Sequence, residues 1–140
     1  MNYRTAREGD AACLAEMAND EIMPQDISEE TMRDFVQDRT VWVAEEGDGD
    51  DREVVGYVSF RAVDDSVVVQ HVCVEPGYRD DGVAGRLLEY PVEFAEKEGM
   101  SVRLAVEEDS WLVGSDALDG FEESGTASFG DDRLLIFERR

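Results

Sequence analysis

The apolar positions of this chain fall into short segments, each with its own period. Asn2 to Glu8 reads as a first strand. Asp10 then stands where a helix cap belongs, ahead of Cys13, Leu14, Met17 and Ala18 at helical spacing. Residues 19 to 27, with Met23 and Pro24, form a connection. Ser28 caps a second helix, in which Ile27 and Met32 occupy the positions of a hydrophobic staple and Met32, Phe35 and Val36 share one face. Thr40 to Glu46 reads as a strand and Glu53 to Arg61 as its return, across a solvated turn from Gly47 to Asp51. Asp64 and Asp65 turn the chain into the apolar run Val67 to Val74. Three strands joined by short loops predict an antiparallel meander.

A third helix is predicted from Gly82 to about Glu98, with a kink near Leu87 because Pro91 removes a backbone donor. Gly99 ends it. Ser101 to Glu107 reads as a strand with Val102, Leu104 and Val106 on one face, which leaves Arg103, Ala105 and Glu107 on the other. A short helix is predicted over Ser110 to Leu118. Gly120 and Phe121 open a last hairpin that turns at Asp131 and Asp132 and ends in a strand from Arg133 to Glu138. The order β-α-α-β-β-β-α-β-α-β-β is that of an α+β protein. Seven strands and about four helices make a mixed, mostly antiparallel sheet in a single domain over residues 1–140.

Composition changes the picture in one respect. Thirty-five acidic residues face thirteen basic ones, a net charge of −22, and Lys97 is the only lysine. Such a chain repels itself in dilute buffer, and molar salt, with a Debye length of ~3 Å, removes most of that cost. The composition resembles that of salt-adapted cytoplasmic proteins, as in halophilic archaea. An acidic protein with a basic partner is the alternative, but the acids are spread over the whole chain. Nucleic acid is disfavoured as a partner, because phosphate contacts need clustered Lys and Arg. No apolar run approaches a membrane span, and the first residues carry no apolar signal region, so the expected compartment is the cytoplasm. Cys13 and Cys73 form no CxxC pair and the chain has one histidine, so no metal site is expected. Both cysteines read as small buried hydrophobes in a reducing compartment. Trp42 and Trp111 read as core or cleft-wall aromatics.

The candidate chemistry lies between Val72 and Leu88. A β-branched strand stops at Pro76, turns through Gly77, and enters the third helix by a loop containing Gly82 and followed by Gly85. Backbone N–H groups converge at such a helix N-terminus and make an anion site. The segment resembles the acyl-CoA-binding motif of the GNAT superfamily of N-acetyltransferases, Val-x-Pro-x-Tyr-Arg-x-x-Gly-x-Gly/Ala. Val74, Pro76, Tyr78, Arg79, Gly82 and Ala84 fall on it. The element order resembles the GNAT fold along nearly the whole chain.

The resemblance implies acetyl-CoA as co-substrate and an unidentified amine as acceptor. It implies that the loop Arg79, Asp80, Asp81, Gly82, Val83, Ala84, Gly85 and Arg86 grips the pyrophosphate. The backbone of Val72, Cys73 and Val74 would pair with the pantetheine arm, with the Val74 N–H as oxyanion donor. Asp109 stands where the family has an asparagine that accepts from the pantetheine. Two departures matter. Asp80 and Asp81 put carboxylates beside the phosphates. Asp116 stands at the family's tyrosine position, where an ionised carboxylate cannot protonate the leaving thiolate. Glu107 is the candidate base, acting through water. His71, sharing a face with Val69 and Cys73 by alternation, reads as a packed strand histidine, with Gln70 on the face of Val72 and Val74. The absent tyrosine leaves a second class open, an acyl-CoA-binding sensor or partner subunit with little catalysis. A homodimer is compatible with either.

Overall fold

The computed structural model describes residues 1–21, 29–38, 40–47, 52–79, 82–108, 110–129 and 132–139. Its strands are β1 (Asn2–Thr5), β2 (Thr40–Glu46), β3 (Glu53–Val63), β4 (Ser66–Val74), β5 (Ser101–Glu107), β6 (Glu122–Phe129) and β7 (Asp132–Arg139). The helices are α1 (Ala11–Glu21), α2 (Glu29–Asp38) and α3 (Val83–Glu98). The seven strands form one sheet in the order β1-β2-β3-β4-β5-β7-β6. Every pairing is antiparallel except β4 with β5, which is parallel because α3 carries the chain from one to the other.

The alternation of each strand sorts its side chains onto two faces. One face packs on α3: Val58, Phe60, Val67, Val69, Val72, Val74, Val102, Leu104 and Val106 meet Val83, Leu87, Leu88 and Val92. Gly56 lies beneath this helix. A Cβ there would meet the Cys73 carbonyl at 3.0 Å and the side chains of Val83 and Leu87 at 3.3 Å, so the glycine sets how closely α3 approaches. On the other face Val41, Val43, Tyr57 and Cys73 pack on Leu14, Met17 and Met32 of α1 and α2. Burying a side chain of this size stabilises by about 2 kcal/mol, so both helices are held mainly by the sheet.

Helix ends follow local chemistry. Gly99 takes φ +69°, and the N–H groups of Met100 and Gly99 reach the carbonyls of Ala95 and Glu96, the glycine stop the sequence predicts. Pro91 is buried within α3, and the helix is continuous through it, so its ring adds to the apolar face that the rest of the helix presents. The meander and the Asp64–Asp65 turn are as expected.

Four expectations are corrected. β1 stops at Thr5 instead of Glu8, because Glu8–Asp10 form a 3-10 turn closed by the Arg7 N–H on Asp10 at 2.8 Å. The helix predicted over Ser110 to Leu118 is a series of turns ending in a single 3-10 turn, Asp116–Leu118. Gly114 at φ +82° interrupts it, and the hydroxyls of Ser110 and Ser115 bond the backbone N–H and carbonyl of Leu112. Cys13 is exposed, whereas Cys73 is buried; the inner face of α1 is made by Ala11, Leu14, Ala15 and Met17. Finally, the simple alternation of β4 fails. A bulge shifts the register so that Ser59 pairs with His71 but Phe60 pairs with Val69. Val69 thereby joins Val72 and Val74 under α3, and His71 stays with Cys73 on the opposite face. The staple residue Ile27 and the turn at Asp48–Asp51 lie outside the described residues.

Candidate functional site

The parallel ladder between β4 and β5 runs only from Ser66 with Ser101 to Val69 with Leu104. Beyond that pair the two strands part, at the same place where β4 carries its bulge. The result is a wedge between Gln70–Val74 and Ala105–Glu107, with its apex at Val69 and Leu104. The Glu75 N–H bonds the Val55 carbonyl at 2.8 Å. That fixes the phase of the β3–β4 ladder, in which bonded and non-bonded pairs alternate. Cys73, opposite Tyr57, therefore turns its backbone groups toward β3, and Val72 and Val74 turn theirs toward the wedge. Of the three residues assigned to the pantetheine arm, two present backbone to it. The part implied for Cys73 does not fit this phase.

At the open end of the wedge the chain passes through the 3-10 turn Pro76–Tyr78 and enters α3. Gly82 takes φ +78°, which a glycine adopts without the clash a Cβ would make. The first intrahelical bond is from the Arg86 N–H to the Gly82 carbonyl, at 3.1 Å. The N–H groups of Val83, Ala84 and Gly85 thus precede the helical ladder and carry the positive end of its dipole. Asp80, Asp81 and Asp109 lie outside the described residues.

Two arginines flank this terminus and do different things. The Arg79 Nε donates to the Val74 carbonyl at 3.1 Å, and its guanidinium lies 5.0 Å from the centre of the Trp111 ring. It ties the end of β4 to the loop that follows β5. Arg86 is exposed and stands over the rings of Tyr3 and Tyr90, at 5.4 and 5.2 Å, while pairing with Glu89. Tyr90 in turn stacks on Trp42 at 3.9 Å. Trp42 and Trp111 are both half-buried against the core. Beside α3 runs a groove of about 570 Å³ bounded by Gly82, Gly85, Ala117, Asp119, Phe121 and Arg139.

On the opposite face of the sheet, Ala105 and Arg103 are exposed and Glu107 is half-buried. Arg103 lies 3.6 Å from Glu138. His71 is half-buried on this same face, and its Nδ1 is 3.2 Å from the hydroxyl of the fully buried Tyr57. The sequence offers no sign of this pair, because the bulge that sets His71 beside the wedge depends on the β3 register. The Arg79–Val74 tie and the place of Trp111 were equally out of reach. Among the described residues no three His, Cys, Asp or Glu side chains are grouped to hold a metal. No helix among them is long and apolar enough to cross a membrane.

Residues 37–121 match the profile of the acetyltransferase (GNAT) domain family. No curated protein sequence matches the chain. Solved structures with the same fold include an N-acetyltransferase from Staphylococcus aureus Mu50, with TM-score 0.80, 16% identity, and 98% of this chain and 96% of that one covered. A ribosomal-protein-alanine N-acetyltransferase from Brucella melitensis has TM-score 0.77 and 24% identity, with 99% of both chains covered. The PaiA N-acetyltransferase of Thermoplasma acidophilum, in complex with coenzyme A, has TM-score 0.76 and 17% identity, with 99% of this chain and 98% of that one covered.

Proposed function

The chain belongs to the GNAT acetyltransferase family, and on that premise we propose that it moves an acetyl group from acetyl-CoA to an amine by direct attack. The observation that carries this reading is the parting of β4 from β5 beside the N-terminus of α3. An extended thioester arm can lie in that wedge as a strand would, and its pyrophosphate can rest on the N–H groups of Val83, Ala84 and Gly85. Gly82, Arg79, Arg86 and, on sequence grounds, Asp80 and Asp81 complete the loop. From there the arm runs back toward the apex, meeting Val74 first and Val72 second. The Val74 N–H is the oxyanion donor the motif nominates, and the Val72 N–H, one repeat deeper and ~7 Å away, is the alternative donor for an arm that reaches the apex. Asp109 follows as an acceptor for the pantetheine. Glu107 is the carboxylate that the alternation of β5 offers for the amine proton, through water.

The chemistry is one displacement. The amine nitrogen forms a bond to the thioester carbon, the oxyanion is held by backbone N–H groups, and the C–S bond breaks to release CoA thiolate. Isothermal titration of acetyl-CoA in molar KCl, together with thiol release on an amine panel, tests the reading. Gly82→Glu should abolish binding, because it forces a side chain into a left-handed position and adds an anion beside the phosphates. Unchanged affinity in that variant would sink the site assignment. Tight binding with no thiol release from any amine would favour a sensor or partner subunit.

A further inference from the structure

His71 sits where three features of the fold coincide. It follows the β4 bulge directly, two residues past the last β4–β5 pair. It adjoins Val72, whose backbone faces the wedge. It also marks a boundary on its face of the sheet, since Cys73 beside it is fully buried under the α1 layer and Ala105 across the wedge is exposed. A packed strand histidine needs none of these.

The polar groups around it are unusual for a sheet core. The Tyr57 hydroxyl, on a fully buried residue, lies 3.2 Å from His71 Nδ1, and the two rings meet edge-on at 85°. Ser59 is directly opposite His71 across the ladder. It too is fully buried, and its Oγ has no hydrogen-bond partner among the described residues. Buried hydroxyls are normally satisfied, so two of them on β3 opposite the one histidine of β4 form a polar spot in an otherwise apolar layer. The charged or titratable groups on this face include Cys73 on β4, Arg61 on β3, Arg103 and Glu107 on β5 and Glu138 on β7, with Arg4 and Glu45 further off on β1 and β2. On α1, which packs against β4, Cys13 and Glu16 are exposed.

We infer that His71 is a catalytic residue, the group that takes the proton from the acceptor ammonium, with Tyr57 orienting its ring. The inference rests on the acetyl-transfer reading and puts His71 ahead of Glu107. Glu107 lies three residues beyond the last paired position of β5, whereas His71 lies two beyond that of β4 and adjoins Val72, the donor that an arm reaching the apex would use. In the tautomer whose Nδ1–H donates to the Tyr57 oxygen, Nε2 is the nitrogen that accepts the proton. It removes one proton from R–NH3+, and the freed lone pair forms the C–N bond. The C–S electron pair leaves on sulfur, the surplus proton on nitrogen passes to the thiolate, and imidazolium returns its own to solvent. The sum is an amide, CoA thiol and one proton.

The single histidine makes the test direct, because one imidazole signal is followed by NMR in the wild-type chain with acetyl-CoA bound. Its titration midpoint should match the acid limb of kcat measured with an amine of ordinary high pKa. His71→Gln should keep acetyl-CoA affinity, lose ~10²-fold or more in kcat, and lose that limb. Glu107→Gln should cost less in kcat than His71→Gln, and the reverse order would overturn the inference. Tyr57→Phe should move both the imidazole midpoint and the kinetic limb in the same direction. A midpoint that departs from the limb would overturn the inference, as would a His71→Gln enzyme with near wild-type kcat. If His71→Gln does not fold, the wild-type titration and Tyr57→Phe still decide it. Acetyl-CoA binding without turnover by the wild-type chain would overturn the acetyl-transfer reading itself, and this role with it.

Discussion

Asp116 opens the short turn Asp116–Leu118 that packs beside α3, at the position where the family pattern has a tyrosine. An aspartate has no phenolic hydroxyl and cannot stand in for the family's tyrosine as proton donor to the departing thiolate. A CoA thiolate is a fair leaving group without help. Asp116→Ala should therefore change kcat little, and Asp116→Tyr should raise it while leaving acetyl-CoA affinity alone. Steady-state thiol release on the two variants checks this. A fall of ~10²-fold in Asp116→Ala, with folding and affinity intact, would mark a true acid catalyst and refute this account of the residue.

Among the elements, β1 is the least able to hold itself. It is a four-residue edge strand, paired only with β2, and its side chains are half-buried at best. What pins it is Glu45 of β2, only 5% exposed, which accepts from Asn2 at 2.7 Å, Arg4 at 3.0 Å and Arg52 at 3.3 Å. Arg4 then reaches on to Asp10 at 2.8 Å and fixes the entry to α1. The Asn2 amide bond, followed by the charges of Arg4 and Arg52, holds the Glu45 carboxyl below its usual range against the pull of burial. Burial also pushes Asp10 up, but its bonds from Arg4 and the Arg7 N–H bring it down overall. Folded-state values below the unfolded ones mean stability that is complete above the ordinary carboxylate pKa of about 4.3. It is lost as pH falls through the folded values. Glu45→Gln should cost about 2 kcal/mol at neutral pH, the scale of a charged hydrogen bond left incomplete in a buried setting. The variant should also flatten the loss of stability below pH ~4.5. Urea titrations of both chains from neutral to acid pH would show it; parallel acid limbs would mean the network contributes nothing specific.

For the whole molecule, charge dominates. Arg4, Arg33, Arg52, Arg86, Arg103 and Arg133 each already sit beside a carboxylate, yet thirty-five acids against thirteen bases leave a charge of −22. The groove beside α3 shares in this, lined by Glu89, Glu93, Glu96 and Asp119 as well as Arg86 and Arg139. Self-repulsion of this size opposes the compact state until salt screens it. Circular dichroism melts should therefore differ strongly between dilute buffer and ~3 M KCl, where the Debye length falls below ~3 Å. Equal melting temperatures would refute salt adaptation.

The sequence by itself determined what depends on neighbours along the chain. The seven strands follow from period-two runs, and the stop of α3 follows from Gly99. The left-handed turn into α3 follows from Gly82 and the residues around it, because each of these is a matter of local dihedrals and spacing. Tertiary structure decided whatever needs two distant segments. The bulge at Gln70 exists only relative to β3, and it moves Val69 to one face while leaving His71 on the other. The wedge exists only because β4 and β5 stop pairing at Val69 and Leu104. Cys13 and Leu14 have similar local surroundings, yet one is exposed and the other buried, because burial is set by the sheet beneath α1. Ser110 to Leu118 carried enough apolar residues for a helix. The serine hydroxyls and Gly114 let that loop fold instead against α3 and Arg79, and periodicity cannot register such contacts. Faces, registers and partings are properties of pairs of strands, so a single line of residues carries the elements of this site but not their convergence.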